Sequence, residues 1–427
     1  MTKRVTEASY PIEFRAADAR KLGESLAHHD SVVLIGAKRV GISNFLRFFL
    51  YHEDIGSIYI RNGTPHLFIT VDLNDLVERN IVPFWTLLLT RLVDSVQGSP
   101  LPEAVKRQCR RLFVQSIQLK DLFFTVDSVQ KVLAEIVAGG LYPTIFLIRF
   151  DRMSDVASQE FFNNLQGLKE AAHQKLSYVF TSYRPLYDLS PRVFPKSVLS
   201  VFARDMFLTP AKPGDMKIIF GTLAERYHTS FTEDVRDALV ILSGGHVQYL
   251  HLAILRLQEE KNPPPDLLTY LVGDEQIQLL SEELFESLTK IEKETVIAAA
   301  RGDAIDITMR RTASYLWNTG IVSETQGKQH IFSSLFAQYL GTLATGSGNG
   351  EFTKKEHSLV SFLQSHLGDL CERDAIIEAV WPESKDMGVS DWAIDRLVAR
   401  VRSKLKDQKS SYEVLTVKTR GYKLIKK

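Results

Sequence analysis

Cysteine is nearly missing from this chain of 427 residues: Cys109 and Cys371 are the two present, with no Cys-x-x-Cys pair. That excludes a disulfide framework and a thiolate zinc site by spacing, and it fits a reducing compartment. The 11 histidines are scattered, and His28-His29 has no second pair at ligand spacing, so no metal site is expected. No Ser/His/Asp or Cys/His set stands in a nucleophile-elbow context, and no catalytic residue is assigned. Long apolar runs are missing as well. The stretch Trp85 to Leu89 is cut short by Arg91, and Met1-Thr-Lys-Arg-Val-Thr-Glu7 lacks an apolar leader core. No membrane partner is expected, and the reading is a cytoplasmic protein of the bacterial cytosol or nucleoid. Net charge is slight too, 52 Lys+Arg against 51 Asp+Glu.

What is there is ordinary globular material, 44% hydrophobic and 24% charged, long enough for two to four domains. The positive charge is gathered at one end: from Met387 to Lys427, eleven lysines and arginines face four carboxylates. Within Asp391–Lys406, Ile394, Val398, Val401 and Leu405 recur at steps of four, three and four residues, the period of a buried helix face. Trp392, Arg396, Ala399, Arg400 and Ser403 point the other way, with Arg402 and Lys404 on the flanks. Tyr412–Val417 then reads as a strand, Lys418-Thr-Arg-Gly421 as a turn and Tyr422–Ile425 as the return strand. A basic helix followed by a basic-tipped hairpin suits one element in a major groove and the other on neighbouring backbone or minor groove.

These residues resemble the OmpR/PhoB-type winged helix. Phe352–Leu363 is similar to the family's opening helix, Arg373–Trp381 to its second, Ser390–Leu405 to its recognition helix and Thr416–Leu424 to its wing. The small sheet that usually precedes the first helix is not expected here, because Leu343-Ala-Thr-Gly-Ser-Gly-Asn-Gly350 occupies its place. The resemblance implies double-stranded DNA as partner. Arg396, Arg400 and Ser403 are then expected in the major groove, Arg402, Lys404 and Lys418 on phosphates, and Arg420 in the minor groove.

Residues 13–206 alternate helix and strand. A helix over Ala17–His28 leads to strands at Ser31–Ile35, Leu67–Val71, Thr144–Ile148 and Leu176–Thr181. Such alternation predicts an α/β fold, a parallel sheet covered by helices. Between the first strand and the helix Phe45–Tyr51 lies Gly36-Ala-Lys-Arg-Val-Gly-Ile-Ser-Asn44. A P-loop there would need Gly-x4-Gly-Lys-Ser/Thr, whose backbone N–H groups and lysine hold phosphates while the hydroxyl holds magnesium. Gly36, Gly41 and Ser43 are in place, but Ile42 stands at the lysine position, leaving Lys38 and Arg39 as the loop's cations. The carboxylate pair that would order magnesium and activate water falls at Ile148-Arg149, or in a rival register at Asp151-Arg152. Thr181-Ser-Tyr-Arg184 follows the next strand, where a polar sensor would sit.

Leu242-Ser-Gly-Gly-His-Val-Gln-Tyr-Leu250 resembles the Gly-Gly-His-Pro lid signature of STAND and origin-recognition-like AAA+ ATPases, with Val247 where proline is common. Helices, Arg311–Trp317 and a hairpin over Ile321–Phe332 then read as a first winged helix. The expected layout is a degenerate P-loop domain at 1–207, a helical lid at 208–275, the first winged helix at 276–342, a Gly-rich linker at 343–351 and the DNA-binding winged helix at 352–427. ATP or ADP is the cofactor the resemblance leaves open. The expectation is a non-enzymatic DNA-binding regulator, a pseudo-ATPase platform that forms a homo-oligomer or docks a protein partner. The alternatives are an NTPase switch working through Lys38 or Arg39, and a protein-docking adaptor. The basic run Lys106–Arg111 reads as a solvated helix face, with a second phosphate-contacting patch as its alternative.

Overall fold

The computed structural model describes residues 5–61, 63, 65–258, 260, 263–344, 352, 354–382, 391–408, 410–417 and 420–426. It divides into two compact units, Met1–Gly341 and Thr342–Lys427.

The first unit is built on a five-stranded sheet in the order β2-β3-β4-β1-β5. Its strands are β1 Ser31–Ile35, β2 His66–Asp72, β3 Tyr142–Ile148, β4 Ser177–Ser182 and β5 Ala203–Phe207, and every neighbouring pair is parallel. All of β1 and β4 is buried, as expected for central strands covered on both faces. The fifth strand is not marked by the sequence pattern. Its Ala-Arg-Asp-Met-Phe run exposes Arg204 and Asp205 at the sheet edge, so the apolar signal is diluted by charge. Three long helices, Ile81–Gln97, Glu103–Leu119 and Leu122–Ala138, separate β2 from β3. The apolar run Trp85–Leu89 lies in the first of them, with Trp85, Leu88, Leu89 and Leu92 in the core and Arg91 paired with Asp75 outside. Among the described residues, no helix is long and apolar enough to cross a membrane.

After β5 the chain is helical through Pro213–Arg226, Glu233–Ser243, Val247–Gln258 and Leu267–Val272. Thr232 caps the second of these, and Gly244, at φ 57°, closes it in the left-handed conformation. Gly244 has no room for a side chain: a Cβ there would stand 1.8 Å from the Phe332 carbonyl oxygen. The helices Glu275–Glu286, Lys290–Arg301, Ile307–Thr312 and Ser314–Asn318 follow, then a hairpin of β6 Val322–Thr325 and β7 Lys328–Ile331. Its turn residues Gln326 and Gly327 both have positive φ, 53° and 75°, as a two-residue hairpin turn of this hand requires. One continuous hydrophobic core runs from Tyr10 to Leu340.

The second unit has its own core of Leu359, Leu363, Ile376, Trp381, Ile394, Leu397, Val398, Val401, Leu405, Val414, Tyr422 and Leu424, among others. Helices Lys354–Ser365, Arg373–Val380 and Asp391–Asp407 pack with an antiparallel sheet ordered β8-β10-β9. These strands are β8 Cys371–Glu372, β9 Tyr412–Val417 and β10 Gly421–Lys426. The stretch 345–350, where the extra sheet was not expected, lies outside the described residues.

Candidate nucleic-acid interface and phosphate-loop region

The helix Asp391–Asp407 buries the stripe anticipated from its period: Ile394, Val398, Val401 and Leu405, joined by Leu397. Its basic residues therefore lie on the remaining surface, where the structure gives them distinct surroundings. Arg396 is half-buried. Arg400 and Lys404, one turn apart, converge on the buried carboxylate of Glu356, with Nε–Oε1 at 3.5 Å and Nζ–Oε2 at 2.6 Å. Glu356 comes from the first helix, and charge counting does not single it out.

Arg402, expected on a phosphate, is held within the domain itself. Its Nε donates to the Val414 carbonyl at 2.7 Å and its Nη2 to Thr416 Oγ1 at 2.7 Å, so it straps the helix to the first strand of the wing. The guanidinium also lies over the Tyr422 ring, 5.7 Å from the centroid. The Tyr422 hydroxyl donates to Asp395, which Arg373 also meets at 2.6 Å. Burial, with Asp395 beside it, pushes the Tyr422 phenol up to about 12. Helix, second helix and wing are thus pinned at one polar knot. Arg420 is exposed where β9 turns to β10. Gly421 behind it is required, because a Cβ would stand 2.1 Å from the Cys371 carbonyl oxygen. The Ser403 side chain and all of Lys418 lie outside the described residues.

In the first unit, the loop after β1 brings Gly36, Lys38, Arg39, Gly41 and Ser43 to the carboxyl end of the sheet, at the start of helix Ile42–Tyr51. Gly41 adopts φ 116°, and a Cβ on it would stand 2.5 Å from Val247 Cγ2 of the lid. His246, just before helix Val247–Gln258, is fully buried and reaches the Lys38 carbonyl through Nε2 at 2.9 Å, while Nδ1 accepts the Tyr249 N–H at 3.3 Å. Two fixed partners define one neutral tautomer, with Nε2 as donor, and burial holds the imidazole down at about 4.

The loop's cations face carboxylates of the chain itself. Glu283, from helix Glu275–Glu286, meets Arg39 Nε at 2.8 Å and Lys38 Nζ at 3.9 Å, and Lys38 also lies over the Tyr183 ring at 4.9 Å. At the end of β3, Arg149 pairs with Asp72 of β2, and its N–H donates to Thr181 Oγ1 at 2.7 Å. Asp151, the rival acid, sits in the next turn, where burial raises its carboxyl above the usual range against the pull of Lys38. After β4, Arg184 forms a two-pronged pair with Glu292 at 2.7 and 3.1 Å, with side chains only 7% and 4% exposed. Its guanidinium stacks over Tyr315 at 4.1 Å, and the Tyr315 hydroxyl donates to the Tyr183 carbonyl at 2.6 Å. Sequence reasoning singled out the loop, Ile42 and Arg149. It missed Glu283 and Glu292, which arrive from far along the chain. Among the described residues, no group of three or more potential metal ligands gathers.

Residues 348–424 match the family described as "Transcriptional regulatory protein, C terminal". This stretch is a winged helix of that family. The transcriptional regulatory protein RprY of Bacteroides fragilis (strain YCH46) is 29% identical over 83 residues, which is 19% of this chain and 34% of that protein. The match thus spans about a third of that relative's length, consistent with a shared winged-helix module rather than a shared whole. The Walker-type ATPase PABY2304 of Pyrococcus abyssi is similar in structure at TM-score 0.48 and 17% identity, over 77% of this chain and 95% of that one. The ADP form of the Aeropyrum pernix ORC2 protein gives 0.44 and 12%, over 80% and 97%. The Aeropyrum pernix ORC1 protein in complex with DNA gives 0.39 and 14%, over 80% and 94%. The chain joins an α/β unit built on a five-stranded parallel sheet to a regulator-type winged helix.

Proposed function

We propose that this chain is a DNA-binding regulator in which the C-terminal winged helix engages duplex DNA and the ATPase-like unit serves as a platform without hydrolysing nucleotide. The observation that carries the second half is electrostatic. The cations at the ends of β1, β3 and β4 are each matched by an internal carboxylate: Lys38 and Arg39 by Glu283, Arg149 by Asp72, and Arg184 by Glu292. A nucleotide would have to compete with those pairs, and it would find Ile42 where an ammonium is needed and Arg149 where the water-activating acid is needed. Arg396 and Arg400 are the side chains proposed for base edges. Lys404, Lys418 and Arg420 are proposed for the backbone and the minor groove, with Ser403 beside them. Arg402 supports them by holding the wing. The platform is proposed to bring copies or a partner together, so that several weak DNA contacts act as one.

The test is fluorescence anisotropy of the full chain on duplex DNA, with and without ATP–magnesium, beside a phosphate-release assay. Binding that ignores nucleotide, with no release above buffer, is the expected result. Turnover stimulated by DNA would replace this reading with an NTPase switch working through Lys38 or Arg39. Absence of DNA binding would favour the protein-docking adaptor.

A further inference from the structure

The basic run on helix Glu103–Leu119 has no part in the reading above. The inward face of that helix is settled: Cys109 and Ser116 are buried, and Ser116 Oγ lies 2.7 Å from Thr125 Oγ1 of the next helix. The outward face is not. Arg107, Arg110 and Arg111 are exposed there, and the stripe continues at steps of three and four residues through exposed Val114 and Ile117. Around the corner into helix Leu122–Ala138, Leu119 is 61% and Phe123 83% exposed, with Leu122 beside them. From 107 to 118 the helix rises about 17 Å, so the surface is a strip with guanidinium groups at one end and apolar side chains at the other. Scattered exposed aliphatics need no explanation, but five apolar side chains within residues 114–123, one of them an almost fully exposed phenylalanine, are a concentration. The carboxylate at the corner, that of exposed Asp121, caps the next helix by accepting the Phe124 N–H at 2.7 Å.

We infer that this strip docks a partner protein through an amphipathic helix that carries carboxylates at one end and leucine or phenylalanine at the other. Charge complementarity selects that occupant. The three arginines want anions, and carboxylates on a helix can be spaced to meet them while its apolar face covers Val114, Ile117 and Phe123. Nucleic acid satisfies the arginine end and leaves the apolar end against water. A bilayer takes the corner and leaves the side of the helix uncovered.

The experiment uses the full chain and two synthetic, fluorescein-labelled helical peptides of about 18 residues, one with glutamates in its first half and leucine and phenylalanine in its second, the other reversed. One orientation is expected to bind with a micromolar Kd. R107E/R111E and F123S are each expected to weaken it at least tenfold, with thermal unfolding unchanged because these side chains are exposed. Replacing the peptide's glutamates by lysines is expected to restore at least tenfold of the binding to R107E/R111E. Peptide binding indifferent to both variants overturns the proposal. So does binding of phosphatidylglycerol vesicles or of a DNA duplex that the same variants abolish while neither peptide binds. Duplex binding through the winged helix is read separately on the same variants, so failure here is distinguishable from failure of the DNA reading.

Discussion

Glu283 and Glu292 look alike in composition and differ in consequence because of where their partners sit. Arg184 and Glu292 are both nearly sealed from water, so Glu292→Ala leaves the guanidinium with only the half-exposed Asp188, at 3.3 Å, as counter-charge and also removes one half of the Thr289–Glu292 capping box. A loss of about 3–5 kcal/mol is expected in denaturant unfolding of the first unit. Arg39 is exposed, so Glu283→Ala is expected to cost no more than about 1 kcal/mol. His246 carries a pH prediction. Its folded value of about 4 lies below the ordinary 6.5, so the unfolded chain takes the proton first. The stability this buried ring contributes is whole above pH 6.5 and is lost as pH falls toward 4. His246→Gln is expected to flatten the stability-versus-pH slope in that window by up to one proton, read from urea midpoints at half-unit steps. Ile42 and Arg149 were legible in the sequence as positions to watch, by their register after β1 and β3. Their carboxylate neighbourhood was not: Glu283 lies 244 residues from Arg39 and Glu292 lies 108 from Arg184, and no local pattern links such partners.

The helix Asp391–Asp407 shows the same division at the level of an element. Its spacing of four, three and four was enough to predict which face is buried, because side-chain direction on a helix follows from period alone. Period says nothing about which outward cation is engaged by its own domain. Arg402, on the flank, straps the wing, and Arg400 and Lys404 share Glu356. The edge strand β5 was missed for a related reason, since edges tolerate the charge that hides a strand. These assignments separate three substitutions. Arg402→Ala is expected to cost about 1–3 kcal/mol in stability of the winged helix, by leaving the Val414 carbonyl and Thr416 hydroxyl without their donor, and to weaken DNA binding as the wing loosens. Arg396→Ala is expected to cost about 1–3 kcal/mol of binding and to blur specificity at one position. Arg420→Ala is expected to weaken all duplexes alike and to lower the salt slope by about one. Thermal melts beside salt titrations on a specific and a scrambled duplex distinguish the three, and equal salt slopes for wild type and Arg420→Ala would remove the wing from the interface.

At the scale of the whole molecule, two separate hydrophobic cores lie in one chain, one from Tyr10 to Leu340 and one from Leu359 to Leu424. The first holds the parallel sheet, with the cations of the loop after β1 answered by an internal carboxylate. A ligand that binds the folded state at a hundred times its Kd adds about 2.7 kcal/mol of stability, enough to move an unfolding midpoint measurably. ATP–magnesium at millimolar concentration is therefore expected to leave the midpoint of the full chain where it was, and a concentration-dependent rise would restore nucleotide to the mechanism. If the platform gathers copies instead, linkage should appear on DNA. A fragment covering 350–427 carries one winged helix and is expected to bind a single half-site and a tandem site with similar affinity. The full chain is expected to prefer the tandem site by about a hundredfold, because the second contact becomes intramolecular. Mass photometry of the complexes gives the count directly. Full chain bound as a single copy with the fragment's affinity on both duplexes would leave the larger unit with no part in holding DNA.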